Sequence, residues 1–429
     1  MTTPKVAAIA RRDFIAEARR YAWLVVGLLW LVGLLNYLDR LLLTTMRESI
    51  KESIPMTDTQ FGLLTSVFLW VYGVLSPFGG FLADRFSRGK VIVVSLCVWS
   101  AVTWLTGHTY TFGQLLIARG LMGVSEACYI PAALALISDY HRGSTRSLAT
   151  GLNNSGIYAG TVLGGMGGYV AQLWGWRAGF SVFGGFGVFY AFVVWIFLRD
   201  PLPIPREERI PASQQEINFP TLLGALFRCR GFWLLLAVNV LVGAANWNIY
   251  GWLPTYLREH FNLGAGAAGL SATAYIQVAS VGGVVLGGVW ADYWSRRNPR
   301  GRAFVPAIGY CVVGPCLLAS ALTNVLPLAL CGLMVFGLGR GFFDANHMPI
   351  LRQLVDERYS ATGYGFLNFI SCAAGGVMVF VGGAMKDAHL GLDKAFQLSA
   401  LGLAVAGLIL FTVKAQASKG VADPSNTEF

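Results

Sequence analysis

Apolar blocks about as long as a membrane span, separated by short polar connections, run through this chain from Tyr21 onward. At 1.5 Å of rise per residue, a helix needs about 20 residues to cross a hydrocarbon layer of about 30 Å. Such blocks cover residues 21–45, 58–83, 90–108, 111–139, 147–170, 176–199, 232–257, 266–291, 303–321, 325–350, 361–386 and 394–416. They predict twelve transmembrane helices, because lipid offers no partner to an unpaired backbone amide. Barrel strands would alternate every second residue, and these blocks do not. The longest polar connection, Arg199 to Arg230, carries "PLPIPREERIPASQQE" and divides the spans six and six. The predicted organisation is a segment 1–20, a six-helix half 21–199, a linker 200–230, a second six-helix half 231–416 and a tail 417–429.

Composition agrees with an all-α integral membrane protein. The chain of 429 residues is 55% hydrophobic and 13% charged, whereas soluble domains carry about a quarter charged residues. A net charge of +10 suggests nucleic acid or an acidic partner, but the distribution of the basic residues argues otherwise. The N-terminal segment, the even-numbered loops and the C-terminal end hold 23 of the 32 Lys and Arg. By the positive-inside rule both termini are expected in the cytoplasm, with the bilayer as partner and no nucleic acid. Met1 to Arg20 is polar and shows no cleavable leader. Seven cysteines lack metal-ligand spacing, so disulfides, structural metal and cofactors are not expected. No phosphate-binding, zincin or nucleophile-elbow pattern occurs in its required context, so an enzyme is not expected either.

A few charges sit inside the spans, where insertion costs about 2.5–3.5 kcal/mol each. The first span contains Asn36-Tyr37-Leu38-Asp39-Arg40, with Asn36 and Arg40 on one helical face. In the fourth, Arg119, Gly123 and Glu126 share a face, with the charges two turns apart. That separation predicts partners on other helices or a ligand. The expected site is a cluster of Asp39, Arg40, Arg119 and Glu126. Arginine offers a planar fork for a carboxylate or phosphate, and a carboxyl group at membrane depth changes its proton affinity with the charges beside it. Two readings stay open: coupling of proton movement to anion binding, or four charges that neutralise one another and fix helix packing. Span ten carries Arg340, Asp344, Asn346 and His347; His347 is either a proton switch or a satisfied core histidine. Asn153, Asn154, Tyr158, Asn246, Tyr250 and Asn368 supply neutral groups for substrate hydroxyls or for bonds between helices. Gly156, Gly160, Gly164 and Gly168 recur every fourth residue, a stripe for close helix packing.

The halves repeat one another. "WLVVGLLWLVGLLNY" from Trp23 recurs 210 residues later as "WLLLAVNVLVGAANW", and "GGFLADRFSR" from Gly79 recurs 208 later as "GGVWADYWSR". "RSLATG" from Arg146 returns 212 later as "RYSATG", and "EACYIP" from Glu126 aligns with "DANHMP" from Asp344. Such parallel repeats surround a central path in transporter folds. On these features the chain resembles the major facilitator superfamily over essentially its whole length. The segment Gly80 to Lys90 is similar to that family's loop 2–3 motif, with Ser87 where glycine is usual and an additional Gly89. Asp84 is suited to pair with loop cations and to cap the next helix. The resemblance implies a conformational latch at Asp84, Arg85 and Arg88, and a second at Asp292 and Arg296.

"NYLDR" followed by "RGLMGVSEACYIP" resembles the anion:cation symporters, which move sugar acids and other organic anions with protons. That resemblance implies anion binding by Arg40 and Arg119 and proton exchange at Asp39 and Glu126. Tyr37, Asn36 and Asn346 are further candidates for the substrate site, and a monomer in the bacterial inner membrane is expected. "GYGFLNFISCAAGG" matches the pattern of that branch's second half in part, with Cys372 where asparagine is common. The same N-terminal motifs, with "ISDY", "GWRAGF" and "LRDP", also resemble spinster-like proteins, which implies lysolipid or sphingolipid transport.

Overall fold

The computed structural model describes residues 4–141, 145–200, 224, 226–298, 300–355 and 360–413; the side chains of residues 4–18, 80, 81, 83, 84, 146, 147, 360 and 361 lie outside that description. Most of the expected linker and the tail also fall outside it. Every regular element described is a helix. The first set is α1 (Pro4–Thr45), α2 (Arg47–Ser53), α3 (Asp58–Arg85), α4 (Arg88–Thr106), α5 (Phe112–Glu126), α6 (Tyr129–Tyr140), α7 (Arg146–Gly165), α8 (Gly167–Trp174) and α9 (Trp176–Phe197). The second set is α10 (Arg230–Phe261), α11 (Ala265–Ser295), α12 (Gly301–Leu322), α13 (Leu326–Leu354), α14 (Ser360–Asp387) and α15 (Leu392–Thr412).

Among the described residues, eleven helical stretches are long and apolar enough to cross a membrane. The twelfth expected block, 147–170, corresponds to α7 and α8, which meet at Met166. Asn153, Asn154 and Ser155 and the glycine stripe dilute its apolar content, and it packs along α1 and α11. The block at 111–139 is also interrupted. Pro131 has no N–H to give the Ala127 carbonyl, and the chain turns at Ala127 and Cys128 between α5 and α6. Within the expected segment 1–20, α1 begins at Pro4.

The glycine stripe sets how closely these helices approach. A Cβ at Gly160 would run into the Leu34 carbonyl of α1, and one at Gly168 into the Ala265 carbonyl at the start of α11. The stripe thus serves packing both within the first set of helices and across to the second.

The two sets meet mainly through α3 against α14 and through α7 and α8 against α11. Among the described residues, the hydrogen bonds and ion pairs that join them lie toward one end. There Glu48 meets Arg258 at 3.2 Å and Lys386, itself paired with Glu259 of its own half, approaches Asp58 at 4.0 Å. The Asp387 carboxylate accepts from the amides of Asp58 and Thr59 at 2.9 and 2.8 Å, satisfying orphan donors at the start of α3. Arg47 and Lys51 both pair with Asp58. Down α3, Ser66 donates to the Gly376 carbonyl at 2.6 Å and Trp70 to the Ala373 carbonyl at 3.2 Å. Beyond Trp70 these bonds stop, and Pro77 and Phe78 of α3, Leu148 and Leu152 of α7 and Tyr364 of α14 are exposed. Among the described residues, the two sets are fastened at the Asp387 end, and no such bond joins them toward the end that carries Arg88 and Asp292.

Candidate functional site

Helix periodicity brings the first-half charges to one place. Arg119 and Glu126 lie on the same face of α5 with Gly123 between them, and a Cβ at Gly123 would come within 2.8 Å of the Phe68 carbonyl. That absence of a side chain lets α3 lie close on α5, and Phe68 covers Arg119 with its ring centroid 4.7 Å from the guanidinium. Arg119 is only 1% exposed, and its Nη1 also faces the Met122 sulfur at 2.9 Å. Glu126 reaches across to α1, where its Oε2 accepts from Arg40 Nε at 2.7 Å. The Arg40 guanidinium lies 4.7, 5.0 and 4.6 Å from the ring centroids of Tyr37, Phe68 and Tyr72, a cage of cation–π contacts. Asp39 faces α4 and accepts from Thr103 at 3.1 Å.

All four charges are buried, and their formal sum is zero. Several polar atoms of the cluster have no hydrogen-bond partner among the described residues: both amide atoms of Asn36, Asp39 Oδ1, Arg40 Nη2, Arg119 Nε and Glu126 Oε1. Asn36 lies within reach of the Glu126 carboxylate. Buried polar groups are rarely left this way in a region that serves packing alone.

The second-half residues are arranged differently. Arg340 and Asp344 stand one turn apart midway along α13, with Nε and Oδ2 at 3.5 Å. Arg340 donates to the Tyr250 hydroxyl, which also accepts from Gln277 Nε2 at 2.6 Å. Gln277 was not anticipated; its signal is one amide within an otherwise small and apolar span. Tyr158 of α7 and Tyr37 of α1 lie within electrostatic reach of Arg340. Asn154 is exposed, Asn246 is half-buried with Oδ1 unpartnered, and Asn368 is half-buried. Asn153 is buried with an unpartnered Oδ1. Asn346 instead bonds the carbonyls of Gly287 and Phe342, joining α13 to α11. His347 lies between Phe343 and Tyr364, with Nε2 3.2 Å from the Asn239 amide. A cavity of about 360 Å³ lined by Arg302, Met348, Pro349, Arg352 and Gln353 lies farther along α13, apart from both charge groups.

At the loop between α3 and α4, Arg88 pairs with Asp139 of α6 and donates to the Ala135 carbonyl at 3.3 Å. The Asp84 side chain lies outside the described residues, and Arg85 is exposed. Ser87 caps α4, since its hydroxyl accepts from the Lys90 amide at 3.2 Å. That explains the departure from glycine at this position. Asp200 completes the loop by accepting from Ser87 and, at 2.8 Å, from the Gly89 amide. In the second copy Asp292 pairs with Arg302 at 2.8 Å, and Arg296 is exposed at the end of α11.

Related halves of membrane-spanning helices with charges buried between them are an arrangement that transporters use. A family model for the Major Facilitator Superfamily matches residues 29–379, and the chain belongs to that family. Among its relatives is an "MFS-type efflux pump" of Mycolicibacterium smegmatis, 28% identical over 90% of this chain and 89% of the relative. Another is the "Probable sulfoacetate transporter" of Cupriavidus necator, 26% identical over 90% and 92%. A solved bacterial homologue of the human lysosomal transporter spinster, in an inward-facing and occupied conformation, superposes with a TM-score of 0.77, covering 92% of this chain and 97% of that one at 21% identity. That last likeness shows the fold.

Proposed function

We propose that this protein is a secondary active transporter that moves a small organic anion, a sugar acid or similar carboxylate, together with protons by alternating access. The observation that carries the reading is the sealed cluster of Arg40, Glu126, Asp39 and Arg119, with its 2.7 Å ion pair between α1 and α5. An anion that engages Arg40 competes with Glu126 for the guanidinium, and a released Glu126 takes up a proton. Arg119 meets the ligand only when Phe68 moves aside. Asp39, held by Thr103, is the second proton site. The relation to a sulfoacetate transporter supports an organic anion; sulfoacetate carries a sulfonate at one end and a carboxylate at the other.

We place the protein in the bacterial inner membrane as a monomer with both termini in the cytoplasm, and infer that the Arg88 end opens inward while the Asp387 end is the closed outer gate. The Arg88 pairing with Asp139 holds the inner end of the first half together during the switch. Purified protein in liposomes, with a pH gradient imposed, is expected to accumulate galactonate, galactarate or sulfoacetate. Asp39→Asn and Glu126→Gln are expected to abolish accumulation while leaving exchange at equal pH. Accumulation that persists in both variants would overturn the coupling assignment. A spinster-like reading is favoured by the exposed Leu148 and Leu152 toward the open end. Thermal stabilisation by lysolipid but by no small anion would establish it instead.

A further inference from the structure

Arg340 and Asp344 are charged, midway along a spanning helix, and yet open. Their side chains are 15% and 38% exposed, against 3% and 0% for Arg40 and Glu126. A charge at this depth that remains exposed lines a water-reachable path. Their mutual contact is loose, a single approach at 3.5 Å to the Nε edge of the guanidinium. A guanidinium engaged by a carboxylate in bidentate fashion shows two shorter bonds.

Tyr250 adds a donor. Its hydroxyl oxygen already accepts from Arg340 and from Gln277. A phenol oxygen has two lone pairs and one hydrogen, so with both lone pairs taken the proton is available to an acceptor in front of Arg340. Tyr250 is otherwise fixed, with its ring 5.1 Å from the Arg340 guanidinium. Asp344 lies within electrostatic reach of the hydroxyls of Tyr158, Tyr250, Tyr310 and Tyr364, on four other helices. Tyr37 lies 4.7 Å from the Arg40 guanidinium and within electrostatic reach of Arg340.

We propose that Arg340 with the Tyr250 hydroxyl is a second anion subsite, that Asp344 stands in for the ligand's acidic group when the subsite is empty, and that the transporter therefore prefers organic anions with an acidic group at each end. One end engages Arg40 and the other displaces Asp344 from Arg340. This rests on the organic-anion reading above.

The test measures binding to the full-length protein in nanodiscs, with galactarate as the two-ended probe and galactonate as its one-ended counterpart. Wild type is expected to bind galactarate about tenfold more tightly than galactonate, and Arg340→Lys to erase that preference by weakening galactarate alone, because lysine lacks the fork. Asp344→Asn removes the competitor and is expected to tighten galactarate about tenfold. Should Arg340→Lys fail to fold, Asp344→Asn and Tyr250→Phe carry the test, the latter weakening galactarate more than galactonate. Equal binding of the two probes by wild type, or weaker galactarate binding in Asp344→Asn, would overturn the proposal and leave the organic-anion reading standing. Binding of neither probe nor of any other small anion would overturn both.

Discussion

Glu126 and Asp344 occupy equivalent places in the two repeats, at the head of "EACYIP" and of "DANHMP", and they have opposite surroundings. Glu126 is fully buried, and its arginine comes from a different helix, α1. Asp344 is 38% exposed, and its arginine is one turn away on its own helix. The position equivalent to Arg40, 210 residues on, is Tyr250, which bonds Arg340 instead of an acid. One scaffold therefore carries a closed charge cluster in one half and an open one in the other. The closed cluster is covered in this conformation, so a ligand would reach Arg40 only once the covering helices move. The open pair is partly exposed as it stands.

This contrast makes ordered predictions. The largest effect is expected from Glu126→Ala, which leaves Arg40 buried without its carboxylate and lowers stability by about 3–5 kcal/mol, measured as a fall in the thermal midpoint in detergent. Gly123→Val comes next. Its branched side chain pushes the Phe68 carbonyl away from α5 and uncovers Arg119, with an expected cost of about 1–3 kcal/mol and a gain in hydrogen exchange across residues 64–72. Thr103→Val removes the bond to Asp39 and is expected to cost about 1 kcal/mol, while shifting the pH at which uptake is half-maximal. The smallest change in stability is expected from Asp344→Asn, within about 1 kcal/mol, since a partly exposed pair at 3.5 Å contributes little. If Asp344→Asn destabilised the protein as much as Glu126→Ala, the distinction between a closed and an open cluster would not hold.

Some of this architecture is legible in the residue order alone. Hydropathy, basic loops and the repeated segments depend on local composition and spacing, and they point to a helical membrane protein of two related halves. The shared face of Arg119, Gly123 and Glu126 follows from 3.6 residues per turn, and the expectation that those charges seek partners elsewhere agrees with the bond from Arg40 to Glu126. The interruption after Glu126 was also within reach, because Pro131 removes the donor for Ala127. The dilution of α7 by polar and glycine residues makes a helix that neighbours, rather than hydropathy, hold in place.

What the chain determines by itself is therefore which residues are costly in a membrane and which helical face each one occupies. Only the tertiary structure decides that Phe68 and Tyr72 of α3 close over Arg40 while Asp344 stays open, that Ser87 caps α4, and that Asn346 joins two helices instead of facing the path. The physical reason is that burial and partner choice depend on which helices approach one another. That approach is set by glycines and carbonyls brought together from positions more than a hundred residues apart, such as Gly160 on Leu34 and Gly168 on Ala265.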